Sequence, residues 1–250
     1  TYGQPWIAMR LVRGTTLAAA IEARLAAQEG SRGKTSSPTR GSSSTREELQ
    51  STLLVFEKIA RALATAHAAG VVHRDIKPAN IVLTSGDEPV VIDFGLVHLE
   101  DSASHLTISG DHIGTPAYMA PEQVEPAGRE PGPHTDVYAL GVTLFEALTL
   151  QSPYHSHSRE ELFHGIVRGE RRRLRQVRRS LTTDLELVVE KALDVEPARR
   201  YASMLDFAED LRRVRQHEPP AARRIGPALR LRRWCQRNPV ATTFLTLLSL

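Results

Sequence analysis

The chain has 250 residues, 41% of them hydrophobic and 24% charged, which suits a globular domain with a sizeable core and argues against a disordered chain. Its single cysteine, Cys235, excludes an internal disulfide framework and a cysteine-based zinc site, and fits a reducing compartment. The net charge of +3 is unevenly spread: residues 1–45 carry six Lys/Arg against two acids, residues 46–211 carry 17 against 26, and residues 212–250 carry nine Arg against one Glu.

In chain order, the opening Thr1-Tyr2-Gly3-Gln4-Pro5-Trp6 has neither the basic start nor the apolar run of a signal peptide, and the chain is expected to be part of a longer one. Residues 4–11 are predicted to form a short strand, ended at Arg13-Gly14-Thr15-Thr16 by turn and helix-cap chemistry. A helix rich in Ala and Leu is predicted over 17–27. Residues 28–45, crowded with Ser, Thr and Gly, are expected to be a low-complexity insert or linker. Within them Gly30-Ser31-Arg32-Gly33-Lys34-Thr35 imitates the end of a P-loop, but two residues separate the glycines where four are needed and no buried strand precedes it.

Thr45-Arg46-Glu47-Glu48 reads as a capping box, followed at helical spacing by Leu49, Leu53, Phe56, Ala60, Leu63 and His67. A long helix with one face in the core follows, closed by Gly70, with His67 as a packed residue at the edge of that face and a ligand role as its other reading. Val71-Val72, Ile81-Val82-Leu83 and Pro89-Val90-Val91-Ile92 are predicted short strands, with a turn at Gly86-Asp87-Glu88. Residues 96–121 lose periodicity and read as a long surface loop. Residues 136–150 are apolar almost all round, the mark of a central buried helix. Further helices are predicted at 159–168, at 183–193 with a Thr183/Glu186 capping box, and at 203–216. Seven arginines fall within residues 168–179, read as a solvated connecting segment, with a docking surface for an acidic partner as the other reading.

The end differs again: Arg223, Arg224, Arg230, Arg232, Arg233 and Arg237 lead through Asn238-Pro239 into the uncharged residues 240–250. A bilayer needs about 20 apolar residues, more than are present. An arginine cluster followed at once by an apolar run nevertheless fits the positive-inside rule and the anionic inner leaflet. The start of a transmembrane helix is expected, against the alternative of a truncated hydrophobic tail. Cys235, at that boundary, reads as a bystander, with acylation as the alternative. Nucleic-acid binding is not expected, since no aromatic-interleaved basic stripe or recognised motif accompanies the charge.

The polar chemistry concentrates in Val72-His73-Arg74-Asp75-Ile76-Lys77-Pro78-Ala79-Asn80 and, after a strand, Val91-Ile92-Asp93-Phe94-Gly95. Phosphoryl transfer needs oxygen ligands for a divalent cation, a carboxylate near the attacking hydroxyl and positive charge near the transferring group. Asp75, Lys77, Asn80 and Asp93 are those residue types, presented from loops between apolar strands. The H-R-D-x-K-x-x-N run followed by D-F-G resembles the eukaryotic-type protein kinases, and Lys77-Pro78-Ala79-Asn80 looks like their Ser/Thr-specific branch.

That resemblance, which extends across most of residues 5–216, implies an α+β fold, mostly the helical C-terminal lobe of a kinase with its hinge strand. Its implied divisions are residues 1–27 as the end of the small lobe, hinge and first large-lobe helix, 28–45 as insert, and 46–216 as C-terminal lobe. Residues 217–238 would be an Arg-rich juxtamembrane segment and 239–250 the start of a transmembrane helix. It implies ATP as cofactor with Mg2+ or Mn2+, and Ser/Thr hydroxyls of proteins as acceptors. Asp75 would orient the hydroxyl and accept its proton, Lys77 steady the γ-phosphate, and Asn80 and Asp93 hold the metal. Met9 looks like the gatekeeper, with Arg10, Leu11 and Val12 as the hinge whose backbone reads adenine. Phe94 would pack inward and Gly95 permit the turn after it. Gly114-Thr115-Pro116-Ala117-Tyr118-Met119-Ala120-Pro121-Glu122 is similar to the substrate-binding loop and its A-P-E terminus, so that Thr115 would bridge Asp75 and Lys77. Glu122 would pair with Arg200, and Asp136 would bond to the catalytic-loop backbone.

Arg74 before the catalytic Asp is shared by kinases switched by activation-loop phosphorylation. Thr107 and Ser109, eight and six residues before Thr115, are the expected sites, with self-association for autophosphorylation as a further implication, and Ser102/Ser104 a weaker pair. The whole resembles membrane-anchored bacterial Ser/Thr kinases, single-pass with the kinase region cytoplasmic; a cytoplasmic protein is the alternative. The family's glycine-rich loop, strand lysine and helix glutamate have no counterpart before the hinge, and Lys34 and Lys58 fall after it. Residues 1–250 alone are therefore expected to bind ATP poorly and transfer phosphate negligibly. The competing function is a non-catalytic kinase-like module that binds partners.

Overall fold

The computed structural model describes residues 11–32, 41–86, 88–94, 116–125 and 130–222, with 31–32 and 41–45 as backbone alone. The expected strand over 4–11 lies almost wholly outside these residues. The first element is β1 (Thr15–Thr16), and α1 (Leu17–Arg32) follows at once. Thr16 is the helix cap that its sequence suggests, its Oγ1 accepting from Ala19 N at 3.2 Å. α1 buries Leu17 and Ile21 and continues past the predicted end at Ala27. α2 (Gly41–Ala68) likewise begins ahead of Thr45, so the supposed capping box lies inside the helix. Both flanks of the expected 28–45 insert are thus helical. Once a helix exists, each further residue adds a hydrogen bond without repeating the cost of nucleation, so weak formers at its ends are carried along. Residues 33–40 lie outside the described residues.

α2 buries Leu53, Phe56, Ile59, Ala60 and Leu63 along one face. It ends at Gly70, whose φ of +80° suits glycine, with Val71 N bonded to Ala66 O at 2.9 Å and Gly70 N to His67 O at 3.0 Å. Val71-Val72 form no strand, contrary to expectation. Val71 N is taken by the helix cap and His73 N by a side chain of the site, leaving no ladder to build. After a 3₁₀ turn over Pro78–Asn80, β2 (Ile81–Leu83) and β3 (Pro89–Val91) complete an antiparallel sheet in the order β1-β2-β3. Thr15 pairs with Leu83 and Ile81 with Val91. Gly14 lets the chain enter this sheet, because a Cβ there would lie 2.2 Å from the Leu83 carbonyl oxygen.

The remainder is helical: α3 (Pro121–Val124), α4 (Pro133–Thr149), α5 (Arg159–Arg168), α6 (Leu174–Val177), α7 (Thr183–Ala192) and α8 (Met204–Arg215). α4 is buried on nearly every side, as its composition predicts, and packs against α2, α7 and α8. At Gly141 the crossing with α7 is so close that a Cβ would meet Ala192 Cβ at 2.9 Å. The cap of α7 is Thr182, which accepts from Leu185 N, rather than the predicted Thr183. The arginine-rich stretch is solvated at Arg168, Arg173, Arg175 and Arg179, as expected, but half-buried at Arg171, Arg172 and Arg178, which brace the helices around it. Arg171 reaches Glu190 at 3.0 Å, Arg172 the Gln151 side chain at 2.7 Å, Arg175 the Thr183 hydroxyl at 3.1 Å, and Arg178 the Leu148 carbonyl at 2.8 Å. Groups around the C-terminal end of α4 attract Arg172 and Arg178, while α7 side chains take Arg171 and Arg175.

One ion pair ties α3 to the segment before α8. Arg200 Nη1 and Nη2 donate to Glu122 Oε1 and Oε2, each at 2.7 Å, and both side chains are fully buried. The other guanidinium hydrogens go to the carbonyls of Asp194, His134 and Val195, so all five donors are used. Thr135 Oγ1 adds a bond to Glu122 at 2.9 Å. Burial pushes the Glu122 carboxyl up, but the bonds and charge of Arg200 outweigh it and hold it below the ordinary glutamate value. A depressed acid stabilises the fold above its unfolded pKa, and that contribution is lost as pH falls through the folded value. Glu122→Gln, which leaves the buried guanidinium without its counter-charge, is expected to cost about 3–5 kcal/mol near pH 7 in urea unfolding. The gap from the native chain should narrow as the medium is made acid; a gap constant with pH would contradict this account.

Candidate active site

The loop between α2 and β2 is organised by a carboxylate that does not belong to it. Asp136, in the first turn of α4 and fully buried, accepts from His73 N at 2.8 Å through Oδ2 and from Arg74 N at 2.7 Å through Oδ1. His67, on the last turn of α2, places Nε2 2.7 Å from Oδ2. Two backbone amides and an imidazole thus converge on one carboxylate, which holds Arg74 at a φ of +67°. For a residue with a Cβ that left-handed conformation costs about 1–2 kcal/mol and persists only where the surroundings impose it. The sequence favours a packed His67 over one with a ligand role; its bond to Asp136 has no signal there beyond its place at the end of the buried face of α2.

His73 is fully buried and joins the two motifs. Its Nδ1 accepts from Asp75 N at 3.3 Å, which assigns the proton to Nε2, and that nitrogen lies 2.9 Å from the Ile92 carbonyl. Its ring packs on Phe94 with centroids 4.7 Å apart. No role was predicted for this histidine; the requirement that both motifs be held together is what it meets.

Asp75 sits half-exposed at the centre. Lys77 Nζ donates to its Oδ2 at 2.8 Å, and Asn80 Nδ2 donates to its carbonyl at 2.9 Å and to Oδ2 at 3.0 Å. Among the described residues these side-chain bonds all fall on Oδ2 and leave Oδ1 without one. Asn80 is buried at the end of the Pro78–Asn80 turn, and with its amide hydrogens so committed its Oδ1 remains as a hard oxygen donor. The register of β2 and β3 carries Asp93 toward it: Ile81 pairs with Val91, and Ile92 N bonds to Asn80 O at 2.9 Å. Asp93 follows, exposed, at a φ of +60°. One amide oxygen and one carboxylate at adjacent register positions suit Mg2+, which takes one or two protein oxygens and completes its shell with water and substrate phosphates. Among the described residues no cluster of three or more His, Cys, Asp or Glu forms a self-sufficient metal cage.

Beside the loop, Tyr118 Oη donates to Glu146 Oε2 at 2.6 Å, linking the Pro116–Tyr118 turn to α4. Burial, then the Glu146 charge, pushes the Tyr118 hydroxyl far above its usual value; burial also raises Glu146, against the opposing effect of Tyr118. Of the other predicted site residues, Val12 is half-buried and Leu11 exposed just ahead of β1. Met9, Arg10, Gly95, Thr107, Ser109 and Thr115 lie outside the described residues.

Comparison with known proteins agrees with this geometry. The model of the family described as protein kinase domain matches residues 6–217. The chain is 39% identical over 166 residues to the serine/threonine-protein kinase PknK of Mycobacterium tuberculosis (strain ATCC 25618 / H37Rv), covering 66% of this chain and 15% of that protein. It is 35% identical over 172 residues to PknB of the same strain, covering 68% and 27% respectively. With PkaA of Streptomyces coelicolor the identity is 42% over 148 residues, 58% of this chain and 27% of the relative. The chain thus spans well under a third of the length of these bacterial relatives. The mostly helical fold, its small sheet and the match over residues 6–217 together establish that the chain belongs to the protein kinase domain family, among relatives that are serine/threonine-protein kinases.

Proposed function

We propose that this chain carries the catalytic and metal-binding part of a serine/threonine protein kinase that moves the γ-phosphate of ATP to Ser/Thr hydroxyls of proteins. The observation that carries the reading is the state of Asp75: Lys77 and Asn80 fix Oδ2, and among the described residues no side chain takes Oδ1, which is open to an incoming hydroxyl. The substrate oxygen attacks the γ-phosphorus, the bond to the leaving ADP oxygen breaks, and the hydroxyl proton passes to the Asp75 carboxylate. Lys77, 2.8 Å from that carboxylate, supplies positive charge where the transferred group gains negative charge. Asn80 Oδ1 and Asp93 would hold Mg2+ or Mn2+, which when bound would neutralise phosphate charge. Met9, Arg10 and Val12 would meet the adenine, and Thr115 would close the wall beside Asp75 and Lys77.

The same reading assigns regulation to the stretch between Asp93 and Glu122. A phosphate on Thr107 or Ser109 would pair with Arg74, whose side chain is exposed beside Asp75. It also assigns residues 217–238 to a cytoplasmic membrane face, with 239–250 opening a spanning helix; the arginine cluster followed by an apolar run supports this. Among the described residues no helix is long and apolar enough to cross a membrane.

The test is phosphate transfer from labelled ATP by the full-length protein. Asp75→Asn is expected to lower kcat by about 10²- to 10⁴-fold while ATP binding changes little. Equal transfer by the native protein and the variant would instead leave a non-catalytic, partner-binding module. Phosphopeptide mapping of the active full-length protein should find phosphate on Thr107 or Ser109, and an unmodified loop would sink the regulatory part.

A further inference from the structure

The backbone around Asp75 is held group by group, and one holder comes from an unexpected place. Asp136 takes the N–H groups of His73 and Arg74, His73 Nδ1 takes that of Asp75, and Asn80 takes the Asp75 carbonyl. A further acceptor of this stretch, the Arg74 carbonyl, receives Gln123 Nε2 at 2.9 Å. Gln123 lies on α3, directly after Ala120-Pro121-Glu122. Its Oε1 accepts from Ala120 N at 3.0 Å, so the amide is anchored on the buried Ala120 and donates across to the loop. Among the described residues this is the only hydrogen bond from the 116–125 segment to the catalytic loop.

The bond has a particular leverage. Arg74 C=O and Asp75 N–H belong to one peptide unit, and that unit follows a residue at a φ of +67°. Rotation of the unit swings Asp75 directly. α3 is itself fixed by the Glu122 to Arg200 pair, so the plane of this peptide is referred to the rigid helical core. Resting on the kinase reading above, we propose that Gln123 is a positioning residue that sets the Arg74–Asp75 peptide plane, and with it the Asp75 carboxylate, from the end of the substrate-binding segment. Glutamine suits the task because it carries an acceptor for Ala120 N and a donor for Arg74 O on one planar group.

Gln123→Glu separates the two halves, since it keeps an oxygen for Ala120 N and replaces the donor with a second acceptor. In the full-length protein, kcat for a Ser/Thr peptide should fall on the order of tenfold, with KM for ATP and peptide within about twofold. The thermal midpoint should stay within a few degrees of the native value. Amide hydrogen exchange at Asp75 should quicken while His73 and Arg74 keep their native protection. Native kcat with native Asp75 exchange would overturn the proposal, as would a loss of rate matched by loss of the fold or confined to KM. If the native protein transfers no more phosphate than Asp75→Asn, the kinase reading fails; Asp75 exchange still decides what Gln123 does to the peptide.

Discussion

The structure depends on the burial of one carboxylate. Asp136 has no exposed surface, and an ion removed from water costs many kcal/mol unless donors replace the lost solvent. The donors at hand are two consecutive backbone amides, His73 and Arg74, and the His67 imidazole. Satisfying the carboxylate therefore dictates the path of the chain just before Asp75, including the left-handed residue that an unassisted loop would avoid. α4 supplies the anchorage, since a helix buried on nearly every side has little freedom to shift its first turn.

From that anchor the site is assembled by short, local devices. The Pro78–Asn80 turn brings Asn80 back onto Asp75, and the β2–β3 register brings Asp93 beside Asn80. His73 spans the two motifs, bonded to Ile92 and packed at a tilt against Phe94. α3, held by Glu122 and Arg200, closes the arrangement from the other side. Groups placed this way need little reorganisation when charge develops, which is where electrostatic catalysis draws its strength.

Much of this was legible because it rests on patterns with few alternatives. The all-round apolar run of α4, the apolar strands at Ile81–Leu83 and Pro89–Val91, and the spacing of Asp75, Lys77, Asn80 and Asp93 can be read without coordinates. What could not be read depended on tertiary partners. His67 on an apolar face is indistinguishable from a packed histidine until Asp136 is placed opposite it. Val71 and Val72 have strand-forming side chains, but the adjacent amides are spent on the α2 cap and on Asp136. The helical flanks at 28–32 and 41–45 were hidden because Ser and Gly argue locally against helix, whereas propagation from a packed helix is not local. Arg171, Arg172 and Arg178 could not be told from their solvated neighbours since their acceptors, such as the Leu148 carbonyl, come close only after folding.

Everything above turns on whether Asp136 organises the loop that carries Asp75. Amide hydrogen exchange at His73 and Arg74, compared between the native chain and Asp136→Asn with the amides of α4 and α7 as reference, measures this. The account predicts strong protection of both amides in the native chain and faster exchange at both in the variant, with the reference amides unchanged. Equal protection of His73 and Arg74 in the two proteins would contradict it.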